Sequence, residues 1–89
     1  MEIRLEPNLS HCIETVAKRE YETVMKLLLS DEQGDEQLEE KCEMLRLFLE
    51  SADFGQLRGR CQPFLAEGKR VTFTLRLNNG VSEYDMEIG

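Results

Sequence analysis

The stretch "VTFTLRLNNGVSEYDMEI", residues 71–88, constrains the fold most, because alternation and turn chemistry point to the same structure. Asn79-Gly80 supplies the positive φ angles of a tight two-residue turn, and apolar residues alternate on either side of it, which predicts a β-hairpin. The turn sets the register. Val71 falls opposite Ile88, Phe73 opposite Met86 and Leu75 opposite Tyr84 on one face, while Thr72 and Glu87, Thr74 and Asp85, and Arg76 and Glu83 share the other. A slip of one residue would exchange an apolar face for a polar one, so the two strands test each other. Arg76 is expected to attract Glu83 across the strands. An isolated hairpin is marginal in water, and this one needs helices, and room for a third strand, against its apolar face. Its six apolar side chains then form a lid, each worth roughly 1.5–3 kcal/mol if fully buried.

The third strand is predicted at "MEIRLE", where Ile3 and Leu5 point one way and Glu2, Arg4 and Glu6 the other. Pro7 ends it. Asn8 is expected to cap a helix over residues 9–30, whose stripe holds Leu9, Cys12, Ile13, Val16, Val24, Leu27 and Leu28, broken by Glu20, and His11 falls in its first turn. Ser30 and Gly34 break the pattern, and Asp35 is the expected cap of a second helix, residues 36–51, with Leu38, Cys42, Leu45, Phe48 and Leu49 on one side. Asp53 and Gln56, in capping-box spacing, start a third helix carrying Phe54, Leu57, Cys61, Phe64 and Leu65. Pro63 predicts a kink or a restart there, and Gly68 a stop.

The order is βαααββ. It predicts a single α+β domain over residues 1–89: a small two- or three-stranded antiparallel sheet, made of the N-terminal strand and the C-terminal hairpin, with about three helices on one face. An 89-residue chain has room for one modest core. No apolar run reaches membrane-spanning length, and "MEIRLEPNLS" lacks the basic-then-apolar pattern of a secretory signal, so the expected address is cytoplasmic.

Charge is unevenly distributed. Of a net −7, residues 31–50 contribute eight acids against two bases, and Glu36, Glu39, Glu40 and Glu43 form a candidate acidic face for a basic partner. A solvated helix face is the plainer reading of such a run, and "DEQGDEQLEE" places its glycine and acids at the wrong offsets for a calcium loop. Residues 51–80 reverse the sign through Arg58, Arg60, Lys69, Arg70 and Arg76. Three helices followed by a β-ribbon with these cations have the general layout of a winged helix, and the five form a candidate phosphate-binding face. Against that stand the overall acidity, the glycines and proline of the third helix and the N-terminal strand.

Cys12, Cys42 and Cys61 are too few and too far apart for a disulfide framework or a paired-ligand zinc site. They sit where small hydrophobes are wanted, so packing is the preferred reading over thiol or metal chemistry. No nucleophile elbow, metalloprotease motif, phosphate-cradling loop or dinucleotide fingerprint is present, and no cofactor is implied. The expectation is a non-catalytic, cytoplasmic protein-interaction module that binds another protein or a second copy of itself through a sheet edge, Val71–Leu77 or Tyr84–Ile88. Nucleic-acid binding is the alternative, and a thiol or metal function a weaker one.

Overall fold

The computed structural model describes residues 2–30 and 36–89. Its elements are β1 (Glu2–Leu5), α1 (Ile13–Ser30), α2 (Glu36–Ser51), α3 (Phe54–Ala66), β2 (Val71–Asn78) and β3 (Val81–Ile88), the α+β order expected. The proposed Asp35 cap lies outside the described residues.

The hairpin adopts the predicted register throughout, from Val71↔Ile88 to Asn78↔Val81. Asn79 (φ 52°) and Gly80 (φ 77°) both lie in the left-handed region, as a type I′ turn requires. β1 adds antiparallel to the other side of β2, pairing Ile3 with Leu75 and Leu5 with Phe73, so the sheet order is β1-β2-β3 with β2 central. The ladder continues past the hairpin's end, where Arg70 and Gly89 exchange amide-to-carbonyl hydrogen bonds of 3.0 and 2.8 Å.

This order divides the sheet's apolar residues unequally. Ile3, Leu5, Val71, Phe73 and Leu75 are buried beneath the helices, with Ile13, Ala17 and Val24 of α1, Met44, Leu45 and Phe48 of α2, and Leu57 and Cys61 of α3. The lid expected of six hairpin side chains is therefore only half realised. Met86 is half-buried, and Tyr84 and Ile88 each remain 38% exposed, because β3 is an edge strand and the helical layer centres on its neighbours. Phe48 links the layers. Its ring meets Phe54 edge-on at 5.4 Å and Tyr84 at 5.6 Å, and Tyr84 in turn reaches Phe73 at 5.9 Å. The Ser82 hydroxyl donates to the Met44 carbonyl at 3.3 Å, tying β3 to α2.

Three helix ends depart from or sharpen the sequence reading. α1 begins at Ile13, not at residue 9, because the Asn8 side-chain oxygen accepts from the Ser10 and His11 amides, both at 2.8 Å, and folds residues 8–11 into a turn of their own. His11 therefore precedes the helix, and Leu9 is 74% exposed. At the other end of the predicted stripe Leu27 is exposed. α3 starts where expected, the Asp53 carboxylate accepting from the Gln56 amide at 3.2 Å, but it does not restart at Pro63 and runs as one helix to Ala66. The hydrogen bond that Pro63 cannot make would go to the carbonyl of Gly59, and both residues are exposed, so water can satisfy that carbonyl.

The stop at Gly68 is a complete Schellman motif: Gly68 (φ 80°) donates to the Leu65 carbonyl at 3.0 Å and Lys69 to the Phe64 carbonyl at 2.9 Å. The Lys69 ammonium also lies over the Phe64 ring.

Candidate functional site

The outer edge of the sheet is the first candidate. β2 is paired with β3 along its length and with β1 from Phe73 to Arg76, so the middle of the edge expected at Val71–Leu77 is already taken, which corrects one of the two edges expected. Among the described residues nothing pairs with the outer side of β3, an unbroken strand of eight residues. The face of β3 towards the helices carries Tyr84, Met86 and Ile88, and the opposite face carries Val81, Glu83, Asp85 and Glu87. Val81 is 58% exposed at the start of the strand. The edge thus presents backbone hydrogen-bonding groups between a half-buried apolar row and a row of three acids.

Apart from Val81 at the hairpin end, the outer sheet face is polar. Thr74 at its centre is buried, flanked across the strands by Arg4 and Asp85. Arg76 does not pair with Glu83. Its guanidinium reaches diagonally to Asp85 and across to Glu2 at 3.7 Å, because those two carboxylates bracket it from both neighbouring strands. Arg70 pairs with Glu6 at 2.7 Å and Lys69 with Glu67 at 3.2 Å. Three of the five candidate phosphate-binding cations are therefore engaged by acids. Arg58 and Arg60, exposed on α3, have no ion pair among the described residues.

Of the proposed acidic face, Glu36, Glu39 and Glu40 are exposed on α2, and Glu43 pairs with Arg46 at 2.5 Å.

The three cysteines separate into two environments. Cys42 donates to the Met25 sulfur at 3.2 Å between α1 and α2. Close by, burial pushes the Tyr21 phenol up, and Cys42 adds to the shift. Cys12 and Cys61 line a cleft of about 160 Å³ at the other end of the helical layer. Cys12 occupies the N-cap position of α1, its carbonyl accepting from the Val16 amide at 3.0 Å. Its sulfur lies 3.3 Å from the Thr15 hydroxyl and receives the Arg58 guanidinium at 3.8 Å. The Thr15 hydroxyl and then the Thr15 amide hold the Cys12 thiol below its ordinary pKa, with Arg58 and the Glu14 amide adding to the effect.

Burial pushes the Cys61 thiol up. Nothing in the sequence signals the meeting of Cys12 with Arg58, since the two stand 46 residues apart.

Among the described residues no three His, Cys, Asp or Glu side chains gather as a metal-binding group, and no helix is long and apolar enough to cross a membrane. No solved structure matches the chain. An uncharacterized protein of Archaeoglobus fulgidus is 48% identical over 52 residues, which cover 56% of this chain and 61% of that protein. The chain thus spans less than two thirds of the length of this curated relative. One protein family matches residues 1–84, nearly the whole fold from β1 into β3, and the chain belongs to that family.

Proposed function

We propose that this protein is a non-catalytic interaction module that takes up an extended segment of another protein along the outer edge of β3. The observation that carries this reading is the eight-residue outer edge of β3, unpaired among the described residues, with Tyr84 and Ile88 left partly exposed beside it. An unpaired strand of this length is a template for strand addition, in which main-chain hydrogen bonds supply affinity and alternating side chains supply selectivity. The partner's chemistry follows from the two rows. Apolar side chains on one face would extend the row of Tyr84, Met86 and Ile88, and Lys or Arg on the other would meet Glu83 and Glu87, Asp85 being engaged by Arg76.

The same acids argue against a second copy as the occupant. Two β3 strands paired antiparallel, with both helical layers on one side, would set Glu83, Asp85 and Glu87 against the same three acids. Nucleic acid is the less favoured ligand because Lys69, Arg70 and Arg76 are already paired, leaving Arg58 and Arg60 for phosphate.

The test is an NMR titration with a peptide alternating Lys and Val, beside a scrambled peptide of the same composition. Amide shifts concentrated on β3, weakened about fivefold or more when Glu83 and Glu87 are both changed to Lys, support the reading. Shifts on α3 with low-salt DNA, and none on β3 with the peptide, would replace it. Light scattering that finds a dimer abolished by changes in β3 would make the partner a second copy.

A further inference from the structure

We propose that Cys12 and the cleft beside it form a reaction site for small organic disulfides that carry a carboxylate. The site lies at the α1–α3 end of the molecule and is independent of the β3 edge. Four features converge there. The Cys12 sulfur sits at the first turn of α1, within reach of the Thr15 hydroxyl, where helix amides favour a thiolate. The Arg58 guanidinium, 3.8 Å from that sulfur, is exposed and has no carboxylate partner among the described residues.

The cleft walls are apolar at Pro7, Leu9, Ile13 and Leu65. The Cys61 thiol, only 3% exposed, also lines the cleft and has no hydrogen-bond partner among the described residues.

A polarisable, unpartnered thiol in the wall acts as a small hydrophobe and suits an aromatic or aliphatic group better than a hydrogen-bonding one. The volume of about 160 Å³ is close to that of a cavity that takes a benzene ring, so one aromatic or short aliphatic half of a disulfide fits. Its carboxylate would meet Arg58 at the mouth. Leu9, 74% exposed, has its place as the outer rim of that cleft. The chemistry is a single exchange. The Cys12 thiolate attacks one sulfur of the disulfide, the S–S bond breaks, a mixed disulfide forms on Cys12, and the other half leaves as a thiolate. No further oxidant is required, since the incoming disulfide is itself reduced. Arg58 assists by holding the carboxylate and by stabilising negative charge at the attacking sulfur. Cys42 provides an internal comparison, because its thiol donates to Met25 and does not line the cleft.

The test uses the full chain with its three free thiols and the aromatic bis-nitrobenzoate disulfide, which releases a coloured thiolate on exchange. About one equivalent per chain should react faster than free cysteine, and that phase should vanish in Cys12→Ser and persist in Cys42→Ser. Arg58→Gln should slow it about fivefold or more, and slow a neutral dipyridyl disulfide less. Absence of a fast phase, or its survival in Cys12→Ser, overturns the assignment. Equal slowing of the two reagents by Arg58→Gln overturns the preference for a carboxylate. If Cys12→Ser does not fold, peptide mapping of the wild-type adduct decides, and an adduct on Cys42 or Cys61 refutes the proposal.

Discussion

Phe48 shows how one residue carries contacts that no single element could supply. It is 2% exposed, and its ring joins α3 through Phe54 and β3 through Tyr84. Phe48→Ala should cost about 3–5 kcal/mol in urea denaturation, the range of a buried aromatic truncated in a close-packed core. Phe48→Leu should cost markedly less, because it keeps most of the apolar volume.

The two cleft thiols should respond to pH in opposite senses. Cys12 titrates lower in the folded protein, so its contribution to stability is present above the unfolded thiol's pKa and is lost as pH falls through the folded value. Cys61 titrates higher, so its contribution is present below the unfolded value and is lost as pH rises through the folded one. Thermal melts from neutral to alkaline pH should show wild type gaining on Cys12→Ser as pH rises, and losing ground relative to Cys61→Ala. The residue-level signals readable beforehand were local ones, such as Asn79-Gly80 and Gly68. The partners of Cys12 were hidden because thiol, hydroxyl and guanidinium come from a turn, a helix start and a second helix, and one sequence carries no sign of that meeting.

Among the elements, α3 depends most on its ends, since Gly55, Gly59 and Pro63 weaken its interior. Asp53→Ala should lower stability by about 1 kcal/mol through loss of the bond to the Gln56 amide. Gly68→Ala should cost about 1–2 kcal/mol. A Cβ there would meet no atom within 4 Å, so the penalty is the left-handed backbone alone, and Gly68→Asn should recover part of it. Chemical denaturation of the three variants checks both ends. Hairpin register and the three helices were legible because alternation, helical spacing and end signals each act within a few residues. The start of α1 was not, because Asn8 can use its side chain to close a short turn as readily as to begin a helix, and here it does the former. Nor could alternation tell a central strand from an edge strand, since Phe73 and Tyr84 read alike until β1 chooses β2 as its neighbour. That choice left Tyr84 and Ile88 partly exposed and closed off β2 from Phe73 to Arg76.

At the scale of the whole molecule, charge placement matters more than the net −7. Like charges on β3 oppose the pairing of two such edges under the proposed function, and a single change should reverse that. Asp85→Lys turns the outward row into Glu-Lys-Glu, which is self-complementary when two β3 strands pair about Tyr84. Sedimentation should show this variant dimerising at concentrations where the wild type does not, and added salt should weaken the dimer.

The pairing of β1 with β2 has a further consequence, in time. Glu2 lies opposite Arg76 and Leu5 opposite Phe73, so the ribosome makes β1 and all three helices before the strand that joins them exists. Until residues 71–78 emerge, the apolar side of the helical layer has no sheet to cover it, and β1 has no ladder to enter. The long loop that must close before β1 and β2 can reward it places sheet completion late and makes it slow. That interval, before β2 has emerged, is when the chain has most apolar surface without its native cover.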